Sequence, residues 1–184
     1  MFIQTEETPN PNTLKFIPGV QVLKEGTVEF IDKVSARSSN FASLIFSIDG
    51  VERVFLATEF VSVTKSNENN WEILKPLILT AIMEHYASGK EVIEKNQNNT
   101  YEDTDEDTEV VKQIKELIDQ RVRPAVAMDG GDISFCSFED GVVTLQMKGA
   151  CAGCPSSTAT LKMGIENMLR HYIPEVVEVK AAEL

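Results

Sequence analysis

The first half of the chain alternates short β-favouring runs with stretches of helical spacing. Pro9-Asn10-Pro11-Asn12 marks a turn, and Thr13-Leu14-Lys15-Phe16-Ile17 behind it has the alternation of a strand. Val51 to Lys65 holds Val54-Phe55-Leu56 and Phe60-Val61-Ser62-Val63-Thr64, which predict two more strands. Between them, Ala36 to Ile48 places Phe41, Leu44, Ile45 and Ile48 on one helical face. A second helix is predicted from near Trp71 to Ala87, carried by Leu74, Ile78, Ile82 and Tyr86. Pro76 is read as near its start, where a missing N–H does least harm, and Gly89 as its end.

The second half repeats no part of the first. Val110, Ile114, Leu117 and Ile118 predict an amphipathic helix that Pro124 must end or kink. Asp129-Gly130-Gly131-Asp132 then turns the chain into a strand, Ile133 to Phe138. Glu139-Asp140-Gly141 predicts a hairpin turn into a second strand, Val142 to Met147. Ser156-Ser157-Thr158 offers helix caps, and Leu161, Ile165, Met168, Leu169 and Tyr172 form one apolar stripe that Pro174 closes. Val176-Val177-Glu178-Val179 predicts a short final strand.

Charge sharpens this division. The chain has 184 residues and a net charge of -12. The stretch from Glu94 to Glu109 carries seven acidic side chains against one basic, which is half of that net charge, and it has no aliphatic residue. Such a segment cannot bury enough surface to offset its ordering entropy. The fold class expected is therefore α/β (α+β): two small α/β domains, residues 1–90 and 109–184, joined by an acidic flexible linker over 91–108.

The same charge balance repels phosphate backbones, and no Lys/Arg stripe interleaves with aromatics, so nucleic acid is not an expected partner. The apolar runs fall far short of the roughly 18 residues a spanning helix needs, so no membrane is expected either. Met1-Phe2-Ile3-Gln4-Thr5-Glu6-Glu7 resembles neither a secretion signal nor an Arg-rich presequence. A cytoplasmic, bacterial location is the expectation, with a processed mitochondrial form as the alternative.

Of three cysteines, two sit as Cys151-Ala152-Gly153-Cys154, at the junction between the second hairpin strand and a helix N-terminus. In a reducing compartment that spacing points to metal or redox chemistry. Small neighbours let a bulky group approach, and the helix terminus favours thiolates and bound anions. Two thiolates complete neither a zinc site nor an iron–sulfur cluster, each of which takes four ligands. Cys136, in Phe135-Cys136-Ser137-Phe138, reads as a small, buried, inert residue. His85 and His171 lie on predicted helices with ordinary flanks. The economical completion is a second chain, its own cysteine pair facing this one across a two-fold axis. Asp129 and Asp132 can pose as paired carboxylates but read chiefly as a turn. No phosphate loop, nucleophile elbow or zinc-protease motif occurs.

Arg123-Pro124-Ala125-Val126-Ala127-Met128-Asp129-Gly130-Gly131-Asp132-Ile133, then Lys148-Gly149-Ala150-Cys151-Ala152-Gly153-Cys154-Pro155-Ser156-Ser157 and Leu161-Lys162-Met163-Gly164-Ile165-Glu166, resemble the C-terminal domain of NifU-like proteins. Thr8-Pro9-Asn10-Pro11-Asn12-Thr13-Leu14-Lys15-Phe16, Gly50-Val51-Glu52-Arg53-Val54-Phe55 and Trp71-Glu72-Ile73-Leu74-Lys75-Pro76 resemble the N-terminal domain of Nfu-type scaffold proteins. The chain departs from the usual pattern at Ser38-Ser39-Asn40 and Leu56-Ala57, away from the cysteines. The resemblance implies a non-enzymatic carrier that binds a [4Fe-4S] cluster between protomers through Cys151 and Cys154. It implies an upstream assembly machinery as donor, apo iron–sulfur proteins as recipients, and a homodimer or higher homo-oligomer when loaded. Two other readings compete: a thiol–disulfide oxidoreductase using the same pair, and a zinc site that merely joins two chains.

Overall fold

The computed structural model describes residues 1–93, 108–153 and 155–182. The chain divides into two compact units, Met1–Asn96 and Gln97–Leu184. Residues 94–107 of the linker expected over 91–108 lie outside the described residues, as does Cys154.

The first unit is a five-stranded antiparallel sheet with two helices. Its strands are β1 (Gln4–Glu7), β2 (Thr13–Ile17), β3 (Val28–Phe30), β4 (Val51–Leu56) and β5 (Val61–Lys65), in the order β1-β2-β5-β4-β3. Phe16 faces Val61, and Val54 faces Val63, across the central ladders. These side chains join Phe41 and Ile45 of α1 (Asn40–Phe46) and Leu74, Ile78 and Ile82 of α2 (Trp71–Ser88) in one core.

The helix expected over 36–48 is divided. A 3-10 turn covers Ser35–Ser38, Ser39 is extended, and α1 follows, with the Ser39 hydroxyl accepting from Ala42 N–H at 3.0 Å as an N-cap. Pro76 is the sixth residue of α2 and not near its start, so one ladder bond is lost there. The helix survives because Asn70 caps its N-terminus, accepting from Glu72 N–H at 3.0 Å, and Gly89 closes its C-terminus at φ 66°.

The second unit is a three-stranded sheet, β6 (Gly131–Glu139), β7 (Val142–Gly149) and β8 (Glu178–Ala181), with β6 at one edge and β7 central. β6 and β7 form the expected hairpin; Asp140 and Gly141 take φ 50° and 80°, both positive, as a two-residue hairpin turn demands. β8 pairs parallel to β7 after the crossover helix α5 (Pro155–Tyr172). The final strand starts later than expected, at Glu178.

Ahead of the sheet, α3 (Glu109–Leu117) does not stop before Pro124. It widens into a π-helical turn over Ile118–Val122 and continues as α4 (Arg123–Met128), where Pro124 occupies the first turn. Ile114, Ile118, Val122 and Val126 stay on one buried face throughout. They pack with Ile133, Val143, Leu145, Ile165, Leu169 and Ile173 in a separate core. Tyr172, placed by the sequence on the apolar stripe of α5, is exposed instead, and the Arg121 guanidinium lies 5.0 Å from its ring. Ile173, one residue on, takes the inward position.

Candidate functional site

β7 ends at Gly149, whose φ of 64° breaks the strand and turns the chain toward α5. Ala150, Cys151 and Ala152 follow, all buried. Ala150 N–H donates to the Gly130 carbonyl at 3.2 Å, and Ala152 N–H donates to Gly149 at 3.1 Å. Thr158, read from sequence as a cap, sits inside the first turn of α5, which begins at Pro155; its hydroxyl donates to the Cys151 carbonyl at 3.2 Å. The loop is thus tied to the turn before β6, to the end of β7 and to α5.

Cys151 is only 6% exposed and belongs to the second core. Cys154 lies outside the described residues, so the structure does not place it relative to Cys151.

The Asp129-Gly130-Gly131-Asp132 turn packs beneath Cys151. Gly130 has φ 81° and makes the turn. Gly131 already belongs to β6 and pairs with Gly149. A Cβ at Gly131 would stand 2.5 Å from Cys151 Sγ and 2.7 Å from the Lys148 carbonyl oxygen.

Asp132 is buried and does not pair with Asp129, which is exposed. Its carboxylate accepts from Arg123 Nε at 2.9 Å and Nη2 at 3.1 Å, and from Ile133 N–H at 2.8 Å. Arg123 Nη1 also donates to Asp119 at 3.1 Å. The hydrogen bonds that the guanidinium donates to Asp132, ahead of the charges of Asp132 and Asp119, raise its pKa against the opposing effect of burial. One arginine thereby clamps the π-helical turn, α4 and the start of β6 together.

Cys136 corrects another expectation: it is exposed. The register of edge strand β6 shifts between Phe135 and Ser137, and this bulge takes Cys136 out of the regular alternation. Local desolvation still raises its thiol pKa, opposed by a backbone hydrogen bond at Gln146 and by the charge of Lys148. His85 is buried in the first unit, its ring centroid 4.5 Å from that of Phe41, and His171 stacks edge-on against Tyr172. Among the described residues no three His, Cys, Asp or Glu side chains gather as metal ligands, and no helix is long and apolar enough to cross a membrane.

Sequence reasoning missed Gly131 as a partner of Cys151. The signal was the doublet: a turn there uses one glycine at positive φ, and the second needs a different reason.

An α/β protein that sets a cysteine in a tied strand-to-helix loop is the class defined so far. Comparison with known proteins narrows it. Residues 114–180 match the NifU-like domain, and residues 3–89 match the scaffold protein Nfu/NifU N-terminal domain. "NFU1 iron-sulfur cluster scaffold homolog, mitochondrial" of Homo sapiens is 49% identical over 98% of this chain and 71% of its own length. "NifU-like protein 4, mitochondrial" of Arabidopsis thaliana is 51% identical over 98% of this chain. The chain spans 65% of that relative's length. The solution NMR structure of a NifU-like protein from Saccharomyces cerevisiae is 28% identical over 52% of this chain and 87% of its own, with a TM-score of 0.47. The chain belongs to the Nfu/NifU family.

Proposed function

We propose that this chain is an iron–sulfur cluster scaffold and carrier, with Cys151 and Cys154 as the cluster ligands of each protomer. The observation that carries this reading is the tied loop that presents Cys151 between β7 and α5, in a chain whose relatives are named as iron-sulfur cluster scaffolds. Thiolates are the soft ligands that iron–sulfur clusters take.

With two such ligands per chain, a [4Fe-4S] cluster needs a second copy, so the loaded form is a homodimer or a higher even oligomer. Transfer is ligand exchange without redox change. A recipient thiol gives up its proton and forms an iron–sulfur bond as a carrier thiolate leaves, and that thiolate takes up a proton. Upstream assembly machinery supplies the cluster, and apo iron–sulfur proteins receive it. The chain itself is not an enzyme. The relatives' names carry a mitochondrial label, which supports the processed mitochondrial form as this chain's compartment over the bacterial cytoplasm.

β7, α5 and β8 form a parallel crossover with Cys151 near its first junction, a βαβ context that a thiol–disulfide oxidoreductase also uses. The scaffold names of the relatives now weigh against the redox reading. Anaerobic reconstitution with iron and sulfide tests it. A brown species with about two irons per chain and an even-numbered solution mass is the expected result. Full iron retention in Cys151→Ala or Cys154→Ala, or a colourless monomer cycling a Cys151–Cys154 disulfide, overturns it.

A further inference from the structure

We propose that Gly131 is the positioning residue of the Cys151 thiol, and that the turn carrying Gly131, clamped by Arg123 and Asp132, holds that sulfur shielded against the core. The proposal deepens the carrier reading and rests on it only where cluster loading is measured.

Gly131 lacks a positive φ, so its backbone conformation is open to other residues. What excludes them is space: a Cβ would meet Cys151 Sγ at 2.5 Å, the Lys148 oxygen at 2.7 Å and Cys151 N at 3.0 Å. Two of these are backbone atoms, and backbone does not rotate away. Gly164 on α5 is the contrast, since nothing lies within 4 Å of its Cβ position.

The turn has little freedom to yield. Gly131 pairs with Gly149 across the hairpin, Gly130 accepts from Ala150, and the next residue, Asp132, is held by both forks of Arg123. The Cys151 sulfur therefore has a seat the width of a missing side chain. From it, the thiol meets the core and not the solvent. An incoming thiolate finds that side of the site closed.

The test is alkylation of the fully reduced, iron-free full chain with iodoacetamide, followed residue by residue by mass spectrometry. In the folded wild type Cys151 should react at least about tenfold more slowly than in the urea-unfolded chain. Gly131→Ala and Asp132→Asn should each lose several-fold of that protection, while an unchanged near-UV circular dichroism spectrum of the same molecules excludes general loosening. Gly164→Ala should change neither. After reconstitution, Gly131→Ala and Asp132→Asn should carry less cluster by visible absorbance.

An unprotected Cys151 in the wild type, or a folded Gly131→Ala with wild-type protection, overturns the proposal. Should Gly131→Ala not fold, Asp132→Asn decides, and undiminished protection there overturns it. A wild type that takes up no cluster while Cys151 behaves as stated removes the carrier reading and leaves this one standing.

Discussion

Two side chains show how much a single residue decides. His85 is buried against Phe41, its Nε2 has no hydrogen-bond partner among the described residues, and Tyr86 beside it is in the same position. Burial, with a smaller contribution from the charge of Lys90, lowers the His85 pKa, and burial pushes the Tyr86 phenol up to about 12. Neutral imidazole is therefore the folded form. The unfolded chain binds a proton below its ordinary value near 6.5 while the folded chain does not, so stability is lost as pH falls below that value toward the lowered folded one. The melting temperature of the first unit should drop between pH 7 and 5, and His85→Leu should flatten that slope. An unchanged slope in a folded His85→Leu would show that other groups carry it. Arg123 decides by pairing. Arg123→Ala strands the buried Asp132 carboxylate and should cost about 2 kcal/mol by urea unfolding, with Arg123→Lys recovering only part because it cannot present the fork.

At the scale of elements, the β6–β7 hairpin carries the geometry of the site, and its turn is exacting. Asp140 and Gly141 both have positive φ, and a Cβ at Gly141 would meet Val177 Cγ2 at 2.8 Å and the Glu175 oxygen at 3.0 Å. Gly141 also accepts from Val177 and Glu178 N–H at 2.7 and 3.2 Å, which ties the hairpin tip to the start of β8. Gly141→Ala should therefore cost about 1–3 kcal/mol. Asp140→Asn, a better fit to this turn, should be neutral or slightly stabilising. Chemical denaturation of both variants checks the contrast, and equal midpoints would refute it.

This hairpin was legible because Asp-Gly between alternating runs is a local signal. Elements whose signal is not local were lost. β1, Gln4–Glu7, has no apolar alternation and exists because it pairs with β2, Gln4 against Ile17. β3 is three residues long and owes its place to β4. The π-helical turn was hidden for another reason: Pro124 reads as a stop, and only the continuing face of Ile118, Val122 and Val126 shows that the chain absorbs it. At the site, spacing pointed to Cys151 and Cys154 as chemistry. The burial of Cys151 and its contact with Gly131 depend on packing across the hairpin, which no window of sequence displays.

Across the whole molecule, the two units have cores with no residue in common: Phe16, Phe41, Leu56, Ile78 and Ile82 in one, Ile114, Ile133, Leu145, Leu169 and Val179 in the other. Cooperativity follows shared burial, so two separate cores predict two unfolding transitions. The ligand assignment then predicts which of them a cluster moves. A group bound only by the folded second unit stabilises that unit by mass action and leaves the first as it was. Calorimetry of the reconstituted chain under anaerobic conditions should show one transition raised relative to the iron-free chain and one unchanged. His85→Leu identifies the unchanged one, because its effect is confined to the first unit. Removing iron with a strong chelator should return the raised transition to its iron-free position. A loaded chain in which both transitions rise together would show that the first unit also takes part in holding the cluster, and the assignment of its ligands to Cys151 and Cys154 alone would have to be given up.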